Sequence, residues 1–199
     1  MENIVVSLVG VLIGALITYF FNVSVEKKNL RNKVYIEIYE QIIKNIDKTS
    51  KSAKDIKTLK ISNELERQYK HPVNYADILE KIDNEVKNIF KTFQAKVNDL
   101  IDLNLYLRYH HIPLDKYKEI INDINSKSFE IVEIIKRQQE LYSPTVSTIG
   151  YIKIENETWN NIIQNEEDLE KRINEYIEKI MMFSNDIQND YYKDLLKIK

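Results

Sequence analysis

Residues 165–197 read NEEDLEKRINEYIEKIMMFSNDIQNDYYKDLLK, with apolar side chains at Leu169, Ile173, Tyr176, Ile180, Phe183, Ile187, Tyr191 and Leu195. Steps of three and four keep all eight on one stripe of an α-helix, and most of the remaining positions are charged or amide residues. Asn165 offers a capping side chain, and Glu166, Glu167 and Asp168 place acids beside the positive helix end, so a helix is expected over 166–197.

The same periodicity recurs toward the N-terminus. Ile78, Ile82, Val86, Ile89, Phe93, Val97, Leu100 and Leu107 predict a helix over about 74–111. Leu114, Tyr117, Ile120, Ile121, Ile124, Ile131, Ile134, Ile135 and Leu141 predict another over about 114–142. The three prolines, at His71-Pro72, Ile112-Pro113 and Ser143-Pro144, mark the expected helix boundaries, because proline lacks an amide donor and restricts the residue before it. Ile38, Ile42, Ile46, Ala53 and Ile56 make a narrower stripe in a first helix expected over 26–70, with Lys48-Thr49-Ser50-Lys51-Ser52 as its weak middle. Only 143–158, rich in β-branched residues around Gly150, reads as a loop or short hairpin. The expected fold is all-α, an antiparallel long-helix bundle with coiled-coil character. Charge agrees with an up-down-up-down order. Residues 44–60 hold six lysines against two aspartates, and 155–190 hold ten acids against three bases, so the first and fourth helices would meet with opposite charge.

Ahead of the bundle stands IVVSLVGVLIGALITYFFNVSV, residues 4–25, without a charged side chain. As a helix it is roughly 33 Å long, enough for a hydrocarbon core of about 30 Å. A cleavable signal peptide would need a basic n-region and small residues at the cut, whereas Glu2 leads and Tyr19, Phe20 and Phe21 stand near its end. Residues 1–25 are therefore expected to be a single-pass transmembrane anchor and 26–199 the body. Lys27, Lys28, Arg31 and Lys33 form a basic flank that keeps the body in the cytoplasm, with the N-terminus outside the inner membrane. Gly10 and Gly14, extended by Thr18, form a small-residue strip along which two spans could pack as a homodimer.

Composition removes much chemistry. The 199 residues hold no cysteine, only three glycines and a net charge of −2, which excludes thiolate chemistry, leaves no phosphate-cradling loop and gives no basic field for nucleic acid. His71, His110 and His111 sit before proline turns, away from any HExxH or paired ExxH spacing, so neither a metal nor another cofactor is expected, and no catalytic set stands out. The expected function is a membrane-anchored interaction protein: a scaffold, tether or regulatory partner of another protein at the inner membrane face. Two alternatives stand beside it. One is a phage or host-defence effector whose span assembles into a pore, and the other an enzyme with a dispersed polar site in the bundle.

Overall fold

A computed structural model describes residues 2–70, 76–109, 112–146 and 156–196, with side chains at 15, 17–66, 83–109, 114–142 and 156–193. Every element among them is helical: α1 Glu2–Thr58, α2 Ile61–Lys70, α3 Ala76–Tyr109, a 3₁₀ turn Ile112–Tyr117, α4 Lys118–Val146 and α5 Asn156–Leu196. The chain divides into two compact units, one of Met1–Gln41 with Ile187–Lys199 and one of Ile42–Asp186.

The unit Ile42–Asp186 is an antiparallel bundle. Asp99 of α3 meets Lys48 and Ser52 of α1, while Lys96 meets Asp55, so the two helices run in opposite directions. Phe90 lies against Tyr142 and Asn104 binds Ser128, which sets α3 antiparallel to α4. Lys127–Glu175 and Asp123–Lys179 do the same for α4 and α5. Lys57 and Lys60 reach Glu170 while Ser62, further along, reaches Glu166, returning α5 to the α1–α2 side. The order is up-down-up-down, with α2 inserted at the first corner.

Most of the expected stripe positions fill its core, while Ile89, Ile120 and Leu141 are half-buried and the side chains of Ile78 and Ile82 lie outside the described residues. Ile173, Tyr176, Ile180 and Phe183 of α5 are fully buried. Val86, Phe93, Val97, Leu100 and Leu107 from α3 join them, with Ile121, Ile124, Ile131, Ile134 and Ile135 from α4. Leu114 and Tyr117 are buried too, from the 3₁₀ turn, where the Tyr117 ring meets Phe183 edge-on at 5.5 Å.

Four boundaries differ from the sequence expectation. The helix expected over 26–70 is broken at Leu59-Lys60, not in its weak middle. Thr49, Ser50 and Ser52 are buried within α1, where Thr49 and Ser52 bond Asp99, so the polar middle packs against α3. The fourth helix begins at Asn156, ten residues before the expected 166, because Ile162 extends its buried stripe upstream. Of the loop or hairpin expected at 143–158, residues 143–146 and 156–158 are helical and 147–155 lie outside the described residues. Pro144 falls inside the last turn of α4, where the missing amide removes a single helical bond. Pro113 stands in the 3₁₀ turn, which delays α4 to Lys118, while Pro72 lies outside the described residues.

The other unit holds the first part of α1 and the end of α5. Tyr39 and Ile187 are buried there, and Tyr191 donates from Oη to Glu40 Oε1 at 3.0 Å. Of the apolar run 4–25, side chains at 15 and 17–25 are described; those at 4–14 and 16 lie outside. Among the described residues no helix is long and apolar enough to cross a membrane.

Candidate functional site

The two sequence features of α1 occupy successive turns of one helix. Ile17, Tyr19, Phe20 and Phe21 are 64, 63, 67 and 67% exposed. At about 100° per residue Ile17 and Phe21 share one side of the axis, while Tyr19 and Phe20 point to others. Tyr19 and Phe20 touch edge-on at 5.8 Å. Lys27, Lys28, Arg31 and Lys33 follow, all exposed. The backbone of Gly10 and Gly14 is helical, but those positions lie outside the described side chains; Thr18 is exposed.

In the bundle, the charged faces tie helices together. Lys57 Nζ lies 3.2 Å from Glu170 and donates to Asn174 at 3.1 Å, while Lys60 adds a weaker contact at 3.5 Å. The hydrogen bond and charge of Lys57 hold the Glu170 carboxyl below the ordinary range. The expected meeting of first-helix lysines with last-helix acids is thus made by Lys57 and Lys60. Lys48 turns instead to Asp99 at 2.7 Å, and Lys44, Lys51 and Lys54 are exposed. Burial pushes the Asp99 carboxyl up, but hydrogen bonds from Lys48 and Ser52 and the charges of Lys48 and Lys96 outweigh it and leave it low. A second cluster joins α4 and α5. Lys127 and Arg172 both bind Glu130 and Glu175, and the Lys127 hydrogen bond leads the fall in the Glu175 pKa.

Sequence reasoning missed the polar groups inside the bundle. Asn165, expected as a helix cap, is 3% exposed within α5 and donates through Nδ2 to Ile134 O at 3.0 Å and Gln138 Oε1 at 2.6 Å. Its place on the buried stripe, between Ile162 and Leu169, was the available signal. Glu166, expected beside a helix end of its own, caps another helix: its Oε1 accepts from the Ser62 amide at 2.9 Å, and its Oε2 accepts from the Ser62 hydroxyl. The residue before α2 is Lys60, which carries no capping oxygen, so this carboxylate supplies the acceptor that the first turn lacks. Asn104 donates to Ser128, which donates to Asn125 O at 2.8 Å. Tyr142 donates to Asp83 at 3.1 Å, and burial followed by that carboxylate raises its phenol pKa.

His71, His110 and His111 lie outside the described residues. Among the described residues, no group of three or more histidines or carboxylates is placed to hold a metal ion. Fold and site together define an all-helical bundle whose first helix carries an exposed apolar belt and a basic flank. Compared with known proteins, the chain matches no protein-family model, no curated protein and no solved structure.

Proposed function

We propose that the protein is a membrane-anchored helical interaction protein, a scaffold, tether or regulatory partner at the inner membrane face. In this reading residues 1–25 span the bilayer with the N-terminus outside, and 26–199 lie in the cytoplasm. The observation that carries it is the belt of Ile17, Tyr19, Phe20 and Phe21, each more than 60% exposed and spread around the helix rather than gathered on one face. Water disfavours such a ring, whereas acyl chains and headgroups suit it, with tyrosine and phenylalanine at the interface. The uncharged run upstream and the four cations downstream agree with that placement and orientation. An interaction role is supported by exposed apolar side chains on the bundle, among them Leu105, Tyr109, Phe129, Met181 and Met182.

Cysteine labelling in intact cells tests the reading. Ser184 is 5% exposed and would resist reagent on either side of the membrane, so the cysteine belongs at the neighbouring exposed Asn185. Asn185→Cys is expected to stay with the membrane pellet after carbonate washing and to react with impermeant maleimide only after permeabilisation. Release by carbonate overturns the anchor; labelling in intact cells overturns the orientation.

A further inference from the structure

Three buried polar atoms on three helices share one level of the bundle. Asn104 of α3, Asn125 of α4 and Tyr176 of α5 are 5, 7 and 0% exposed. Lys127–Glu175 and Asp123–Lys179 bracket Asn125 and Tyr176, placing them opposite each other across the α4–α5 seam. Ser128, one turn beyond Asn125, takes the Asn104 amide and so brings α3 to the same level. Asn104 Oδ1, Asn125 Oδ1 and Tyr176 Oη have no hydrogen-bond partner among the described protein groups.

Counting protons separates this layer from the other one. Gln138 Nε2 and Asn165 Oδ1 are also unpartnered, but they are a donor and an acceptor on side chains already joined by one bond. A small amide rotation lets that pair satisfy itself. In the Asn104 layer the unpartnered atoms are two carbonyl oxygens and one phenolic hydroxyl, and the Ser128 proton is committed to Asn125 O, so the single phenolic proton cannot serve both oxygens. One more donor with two protons, able to accept one, closes the set.

We propose that an ordered water is bound in this layer, donating to Asn104 Oδ1 and Asn125 Oδ1 and accepting from Tyr176 Oη. A buried water typically makes about three hydrogen bonds to groups otherwise unsatisfied, and this arrangement supplies three. The water joins α3, α4 and α5 at a single point, where apolar packing alone would let them slide.

A double-mutant cycle in urea, on the full chain in mild detergent, tests it. Tyr176→Phe removes only the hydroxyl and is expected to lower the folding equilibrium constant about fivefold. In an Asn104→Leu background, where the bridge is already broken, the same change is expected to cost less than about twofold. Should Asn104→Leu fail to fold, Asn125→Ala forms the second arm with the same expectation. A Tyr176→Phe chain as stable as the parent, or more so, means the hydroxyl bonds nothing and overturns the proposal. Full additivity of the two changes overturns it as well.

Discussion

Glu166→Ala tests whether the first corner of the bundle hangs on one carboxylate. Glu166 and Ser62 are 8 and 6% exposed, so water cannot readily replace the lost acceptor. The substitution strips a charged partner from the Ser62 amide and another from its hydroxyl. A hydrogen bond to a charged group contributes about 1.5–3 kcal/mol, and loss of a helix cap about 1 kcal/mol. The two bonds share one carboxylate and do not add fully, which gives about 3 kcal/mol for Glu166→Ala. Ser62→Ala, which keeps the amide bond, is expected to cost about 1 kcal/mol. Glu166→Gln keeps the shape and one carbonyl oxygen and should fall near Ser62→Ala. For a chain of this length about 3 kcal/mol lowers the melting temperature by roughly 6–12 °C. Thermal melts followed by circular dichroism would rank the variants as Gln and Ser62→Ala mild, Glu166→Ala severe. An alanine variant within about 0.5 kcal/mol of the parent would refute the reasoning, and so would glutamine as damaging as alanine.

Ile180→Ala, at a side chain with no exposed surface, is expected to cost about 2–5 kcal/mol, and Ile180→Asp to abolish the folded helical spectrum, both read by urea titration. Acidification should weaken the bundle. Asp99, Glu170 and Glu175 have folded pKa values below their ordinary ones, so their contribution is full above the ordinary carboxylate range and is lost as pH falls through the lower folded values. Urea midpoints should hold down to about pH 5 and drop below about pH 4, and Lys57→Met should lessen the drop; a flat profile would contradict the ion-pair account. Replacing Gly10 and Gly14 with isoleucine should abolish crosslinking of the full chain in membranes if the small-residue strip joins two spans, whereas unchanged crosslinking assigns any dimer to the bundle.

The apolar stripe of α5 was legible from Leu169 to Ile187, every expected position of which is buried, because a helix buried on one face leaves its period in the sequence; Tyr191 is half-buried and the Leu195 side chain lies outside the described residues. The α3 and α4 stripes were legible in the same way, as Phe93, Val97 and Leu100 or Ile131, Ile134 and Ile135 illustrate. What escaped was the meaning of polar residues. Asn165 before three acids looks like a helix start, and only the partner helix, through Ile134 O and Gln138, makes it a core residue. The break at Leu59-Lys60 has no local glycine or proline to announce it, and its compensation lies far away in sequence at Glu166. Ser52 and Thr49 likewise weaken a helix pattern while answering Asp99 across the bundle. Such pairings are tertiary and leave no local period.

Isoleucine supplies 13 of the 28 buried apolar side chains described. Its branched β-carbon leaves one dominant rotamer in a helix, so each loses little side-chain entropy on burial and the core settles into few alternative arrangements. The same branching makes isoleucine a poorer helix former than leucine or alanine, and α4 in particular combines Ile121, Ile124, Ile131, Ile134 and Ile135 with asparagine and serine. A peptide of α4 alone would therefore be largely unfolded, and its helix would exist only as part of the assembled bundle. Amide protons of α4 should accordingly exchange through opening of the whole unit rather than by fraying turn by turn, with one shared protection factor along the helix centre.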